Sequence, residues 1–241
     1  MKKFSPGILP TLVTVPVVII LLALCVWQVN RYSWKINLID TINSQLAAPA
    51  VEMPTGDLDP EKWQYRRVKL TGHYEHDKEL HLFAHADPGR EGFQIITPFV
   101  RSGNGEVVLV NRGWVPKNKV NPETRPAGQV RGDVTITGVI RKPWGKAYSF
   151  MPESSATDNV WLYGQLSKMA DYLKMKVAPV FVELDANDVP GGLPIGGQTR
   201  ITLPNNHIQY AFTWLGLAIT MAIIFVIYGL KRGKGDEDAP E

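Results

Sequence analysis

The sequence predicts an α+β protein: an extramembrane domain built on an antiparallel sheet or an open β-barrel-like sheet with one or two helices, flanked by two transmembrane helices. Three observations predict it. Two long stretches without Asp, Glu, Lys or Arg lie near the ends, at residues 4–30 and 201–230. Between them, short runs rich in β-branched and aromatic residues are separated by Gly, Pro, Asn and Asp, as hairpin-connected strands are. One segment of that central region, VWLYGQLSKMADYLKMK, has helical character instead.

The first span follows from FSPGILPTLVTVPVVIILLALCVWQVN, whose length exceeds the roughly 20 residues that cross about 30 Å of hydrocarbon as a helix. A secretory leader also begins with Lys2, Lys3 and an apolar run. This run is too long for a leader core, and it ends in Trp27, Arg31, Tyr32 and Trp34, an interfacial belt in place of a small-residue cleavage site. The second span is IQYAFTWLGLAITMAIIFVIYGL, bounded by His207 before it and by Lys231 and Arg232 after it.

These spans organise the chain as follows: residues 1–7 cytoplasmic, 8–30 first transmembrane helix, 31–63 amphipathic helix and linker, 64–206 α+β domain, 207–230 second transmembrane helix, 231–241 cytoplasmic tail. Lys2, Lys3, Lys231, Arg232 and Lys234 on the terminal side outnumber Arg31, Lys35 and Arg200 on the domain side, so the positive-inside rule puts both termini in the cytoplasm. The domain then faces the periplasm of a bacterium or the intermembrane space of a mitochondrion. With no Arg/Ser-rich transit segment before the first span, the expected location is the bacterial inner membrane.

After the span, SWKINLIDTINSQLA places Ile36, Ile39, Ile42 and Leu46 at helical spacing, which predicts a short amphipathic helix; APAVEMPTGDLDP then reads as a linker. Strands are expected in YRRVKLTGHY, ELHLFAHA, FQIITPFV, EVVLVNRGWV, DVTITGVIRK and APVFVELDA, with a hairpin at the Asn-Gly of RSGNGE and 68–74 paired with 79–84 if those two strands form a hairpin. The only cysteine, Cys25, lies in the first span, so the domain has no disulfide and stands on its own core.

Candidate chemistry is sparse. No nucleophile elbow, Walker loop or dinucleotide fingerprint occurs. His73, His76, His81 and His85 are close in sequence but badly spaced for a metal, and are expected as solvated strand and turn residues. The net charge of +3 points to neither nucleic acid nor an acidic substrate. Locally, residues 101–146 hold nine Lys or Arg against three Asp or Glu, a solvated face or one that meets lipid headgroups, a partner's acidic patch or haem propionates. PGGLPIGGQTR lacks the Lys-Ser/Thr of a phosphate cradle and reads as a flexible or tightly turned connector. His207 stands at the start of the second span, with Tyr210, Trp214 and Leu217 following at helical spacing. An imidazole there serves either as an interfacial anchor or as a haem axial ligand.

The chain closely resembles the Surfeit locus protein 1 family, membrane-bound assembly factors for haem–copper cytochrome c oxidase. The resemblance is carried by LVNRGWVPKNKVNPETR, PVFVELDA and PGGLPIGGQTRITLPNNHIQYAFTWLGLA, in that order, and by the two-span layout. It implies a non-enzymatic role in maturing oxidase subunit I, together with other assembly factors, by holding or handing over haem a. Asn111, Arg112, Gly113 and Trp114 match the family's central motif, and Gly196, Gly197, Gln198, Thr199 and Arg200 match the second. His207, with Gln209 and Tyr210, matches the segment in which a haem-ligating histidine has been proposed. On that reading His207 ligates the haem iron between the two spans, Tyr210, Trp214 and Trp27 wall the slot, and Arg200 meets the propionates. Asn111, Arg112, Gly113, Trp114, Lys117, Lys119 and Arg125 form a presenting surface for partners. The competing readings are a scaffold for oxidase assembly without cofactor and a periplasm-facing hydrolase, the latter lacking a nucleophile–base pair.

Overall fold

The computed structural model describes residues 4–86, 90–146, 148–198 and 203–235. The chain divides into two units, one made of residues 1–41 and 202–241, the other of residues 42–201.

The first unit is a helix pair. Helix α1 runs without a break over Ile8–Ala47. At about 1.5 Å per residue it is some 60 Å long, twice the hydrocarbon thickness, so it continues well past its apolar part. The amphipathic helix expected after the span is therefore the same helix, since neither Gly nor Pro interrupts the chain between residues 17 and 47. The second long helix, α4, runs over His207–Gly235. Both are long and apolar enough to span a membrane, with mean hydropathy of 2.7 and 2.2 in their most apolar windows. The pair is antiparallel. Phe4 packs edge-on to Phe225, with ring centroids 5.7 Å apart, and Ser5 N donates to Gly229 O at 3.1 Å. On the facing stripe of the second helix Ala211 and Ala218 are buried, seven residues apart, which lets the backbones approach closely.

The second unit is a small barrel. Its strands are β1 (Val51–Glu52), β2 (Arg67–Tyr74), β3 (Leu80–Ala86), β4 (Arg90–Arg101), β5 (Val107–Pro116), β6 (Val134–Arg141), β7 (Val160–Trp161) and β8 (Val177–Leu184), with short helices α2 (Pro60–Trp63) and α3 (Leu166–Leu173). Strands β2, β6, β8, β5 and β4 pair in a ring that closes through β2–β4. The α+β class holds, with a barrel that is closed and a sheet that is mixed: β5 and β8 run parallel, Val110 opposite Val182. Closure depends on Gly72, where a Cβ would lie 2.0 Å from Val100 O. The pairing of 68–74 with 79–84 does not form. β3 pairs instead with the first half of the long strand β4, whose last three residues turn onto β2. The RSGNGE hairpin does form, between β4 and β5.

The barrel interior is filled by Val68, Leu70, Phe99, Val108, Val110, Ile140, Val180 and Val182. Outside it, Leu109 and Phe181 join Leu80, Leu82, Ile96, Trp161 and Met169 of α3 in a second cluster. β5 is thus apolar on both faces, which explains why VVLV is continuous where VTITGVI alternates. The segment 160–176 is only partly helical. Val160–Trp161 pairs with β3, and Gly164 lies under the Trp144 ring, where a Cβ would approach to 2.5 Å.

Candidate functional site

The residues Asn111-Arg112-Gly113-Trp114 lie inside β5, at a bulge. Gln94 of β4 faces Trp114 and Ile96 faces Asn111, so Arg112 and Gly113 together oppose Ile95. Gly113 has φ 117°, and its N–H donates to Asn111 Oδ1 at 3.1 Å. The Asn111 amide in turn donates to Gln94 Oε1 at 2.9 Å. A Cβ on Gly113 would lie 2.0 Å from Ile195 O, because the glycine-rich segment runs directly against it. Trp114 and Ile195 exchange two backbone hydrogen bonds of 2.9 Å. Two sequence motifs more than eighty positions apart are therefore one structural feature.

The bulge turns Arg112 inward. Its side chain, 3% exposed, donates from Nη1 to Glu79 Oε1 at 3.1 Å and from Nη2 to Gly128 O, and its guanidinium carbon lies 4.8 Å over the Tyr74 ring. Arg125 meets the same carboxylate from the other side, with Nη1 3.3 Å from Glu79 Oε1 and Nη2 paired with Oε2. It also donates from Nε to Lys119 O at 3.1 Å and from Nη2 to Val120 O at 3.2 Å. His76 closes the cluster: Nδ1 lies 3.3 Å from Arg112 Nη1 and Nε2 2.7 Å from Val130 O. The carboxylate thus joins the barrel to the loop 117–130.

Burial alone would raise the Glu79 pKa, but hydrogen bonding with His76 and Arg125 and the charges of Arg125 and Arg112 outweigh it, holding it at about 2. Burial pushes the Tyr74 phenol up to about 12, with Arg112 opposing. Arg112 itself is lowered by burial, against the pull of Tyr74 and Glu79.

These positions correct the expectation of a presenting surface. Asn111, Arg112, Gly113, Trp114 and Arg125 are all buried; Lys117 is exposed and Lys119 half-buried, with Nζ 3.3 Å from Thr124 O. A guanidinium carried into a barrel wall must be paired, and the fold provides Glu79. Part of the basic excess over 101–146 is already paired, while Lys117 and Arg131 are exposed. Arg101 donates to Pro54 O and Met53 O and pairs with Glu106, Lys142 pairs with Glu61 at 2.7 Å, and Lys146 pairs with Glu153. His76 is not solvated as expected, and burial lowers the His81 pKa.

In the helix pair, His207 is the first residue of the second long helix, α4, and its Nδ1 lies 2.8 Å from Gln28 Oε1 of α1. Gln28 is 8% exposed. The stripe expected on α4 is rotated: Ala211, Trp214 and Ala218 turn inward with His207, whereas Tyr210 and Leu217 are 54% and 49% exposed. Trp27 is 52% exposed and so does not wall an interhelical slot; Gln28, one residue on, faces α4 instead. Among the described residues, the side-chain amide of Asn205 and Trp214 Nε1 are buried without a hydrogen-bond partner. Arg200 and Thr199 lie outside the described residues.

Glu79, Tyr74 and Gly128 were not singled out by sequence reasoning, and neither was Gln28; His76 was weighed only as a metal ligand. For Gln28 a signal existed: a primary amide inside an apolar span needs a polar partner. Glu79 carried none, because an acid at a strand's start ordinarily faces water.

A small closed barrel with a buried Arg–Glu–Arg cluster, together with two helices fit to span a bilayer, defines a membrane protein with an extramembrane barrel domain. Its membership is specific: the chain belongs to the SURF1 family, whose pattern matches residues 15–219. It is 42% identical over 212 residues to Surfeit locus protein 1 of Xenopus tropicalis, covering 79% of this chain and 66% of that protein. To the protein of that name from Rattus norvegicus it is 38% identical over 223 residues, 87% of this chain and 72% of the relative. To that from Homo sapiens it is 39% identical over 215 residues, 83% and 70%. The chain thus spans about two thirds to seven tenths of the length of these relatives.

Proposed function

We propose that this chain is a non-enzymatic assembly factor for haem–copper cytochrome c oxidase, and that it holds haem a for delivery to subunit I, alongside other assembly factors. Membership of the SURF1 family supports the general role of oxidase assembly factor. The observation that carries the finer reading is the His207–Gln28 contact: with Nδ1 engaged at 2.8 Å, the other ring nitrogen is left for a ligand. The residues present fit such a group. A neutral imidazole at the end of an apolar helix is a common haem axial ligand, and the unpartnered Asn205 amide and Trp214 indole N–H on the same helix entry are donors without a protein acceptor. Bound haem would supply an iron, which the His207 imidazole would hold. The chain's own part is to hold His207 in place and to exclude water with the apolar helix faces. Arg200 remains the proposed partner of the propionates.

A cofactor-free scaffold is the second reading, favoured by the same contact taken as glue between helices. The absorption spectrum of the full-length protein, purified in detergent from cells that make haem a, separates the two. A haem a spectrum lost on His207→Ala supports carriage, and a protein without haem supports the scaffold. For location we propose the bacterial inner membrane, with the barrel domain in the periplasm.

A further inference from the structure

We infer that Gln28 is a positioning residue for His207: its side-chain oxygen fixes the imidazole as the Nδ1–H tautomer and so presents the Nε2 lone pair as the donor. The inference rests on the haem-holding reading above for the identity of the ligand, but its geometry stands apart from it.

Gln28 lies in the last turn of the apolar run of α1 and is almost fully buried. A primary amide in this setting is expensive unless its groups are paired, because hydrocarbon offers no hydrogen bonds. Its Oε1 is 2.8 Å from His207 Nδ1. An amide oxygen carries no hydrogen, so the proton of this bond belongs to Nδ1. A neutral imidazole has one N–H, and Nε2 is then the unprotonated nitrogen with its lone pair in the ring plane. In water the Nε2–H form of a histidine is the more populated, so Gln28 selects against the intrinsic preference.

A second contact holds the same place. Lys35, two turns beyond Gln28 on the same face of α1, donates from Nζ to Pro204 O at 2.5 Å. The chain entering α4 is thus gripped at Pro204 and at His207 by one face of α1, which fixes where the ring stands as well as which nitrogen is free. Glue between helices would need neither a defined tautomer nor a second clamp. A second-shell partner of a ligating histidine needs both, since orientation and tautomer decide whether the lone pair meets the metal.

The test uses the full-length protein in lipid bilayers with 15N-labelled histidine, and ferric protoporphyrin IX as the probe. In the unsubstituted protein His207 should show a protonated Nδ1 and an unprotonated Nε2. Gln28→Leu should convert this to a mixture or to the Nε2–H form. It should also weaken binding of the probe by about tenfold to a hundredfold, the usual loss when an outer-shell partner is removed. Gln28→Glu keeps an acceptor oxygen and should retain the Nδ1–H pattern and bind the probe within a few-fold of the unsubstituted protein, which separates positioning from loss of fold. An unchanged nitrogen pattern in Gln28→Leu overturns the inference, as does a changed pattern with unchanged affinity and axial-ligand spectrum. Undiminished probe binding by His207→Ala overturns the haem reading instead, and the nitrogen spectra still decide whether Gln28 sets the tautomer.

Discussion

Glu79 is held at a pKa of about 2 against an ordinary 4.5, so its ionised form is favoured by folding. The stabilisation is fully present above pH 4.5 and is lost as the pH falls toward 2. At about 1.4 kcal/mol per unit, the difference amounts to about 3–4 kcal/mol. Thermal unfolding of the full-length protein, followed by tryptophan fluorescence, should show this acid limb, and Glu79→Gln should flatten it. At neutral pH Glu79→Gln leaves Arg112 and Arg125, 3% and 5% exposed, as two buried cations without a counter-charge, and should cost about 3–5 kcal/mol. Arg112→Ala removes the salt bridge to Glu79, the Tyr74 stacking and the bond to Gly128 O. It should cost about 3 kcal/mol by the same measurement, where an exposed arginine would cost almost nothing. A loss of oxidase in such a variant is then first a loss of folded protein, which western blotting of membranes alongside oxidase activity would separate.

The bulge in β5 is the element on which both motifs depend. Gly113 combines φ 117° with an Ile195 carbonyl where its Cβ would stand, so a side chain there strains the strand and pushes off the glycine-rich segment at once. Gly113→Ala should destabilise by about 3 kcal/mol or more. Gly132→Ala makes the comparison: φ 80° but open space, so only the backbone strain remains and the cost should be about 1 kcal/mol. Equal effects of the two, read as shifts in unfolding temperature, would remove the close approach from the argument. The same logic explains why Gly-Gly at 196–197 reads poorly from sequence. Each glycine there meets backbone of another segment, Gly196 at Asp185 O and Gly197 at Ala186.

For the whole molecule, the antiparallel helix pair brings Phe4 to Phe225 and Ser5 to Gly229, so the N-terminal end of α1 and the C-terminal end of α4 lie at one end of the pair. Reporter fusions after residue 235 should be active only in the cytoplasm, and a fusion at Asn104, in the β4–β5 turn, only in the periplasm. The reverse pattern would overturn the proposed orientation, which rests on Lys2, Lys3, Lys231, Arg232 and Lys234.

What the sequence determined by itself was whatever depends on neighbours along the chain. A long apolar helix needs only an uninterrupted apolar run, so both helices fit to cross a membrane were legible. So was the β4–β5 hairpin, since Asn104 and Gly105 lie in the turn itself. The apolar runs of β5 and β8 were legible as strands, but not as parallel neighbours, because pairing depends on which edges meet. The motif at Asn111–Trp114 was legible as the end of the strand EVVLVNRGWV but was expected as a presenting surface, because sequence alone does not say which way a strand's charged residue faces. Only tertiary structure could turn Arg112 inward, since its counter-charge Glu79 lies thirty-three positions earlier and joins it solely through barrel closure. His207 was visible as an ionisable group at a span's edge, but its ring orientation was not. That orientation is set by Gln28, 179 positions away on the other helix, and no local pattern encodes which face of one helix meets which face of another.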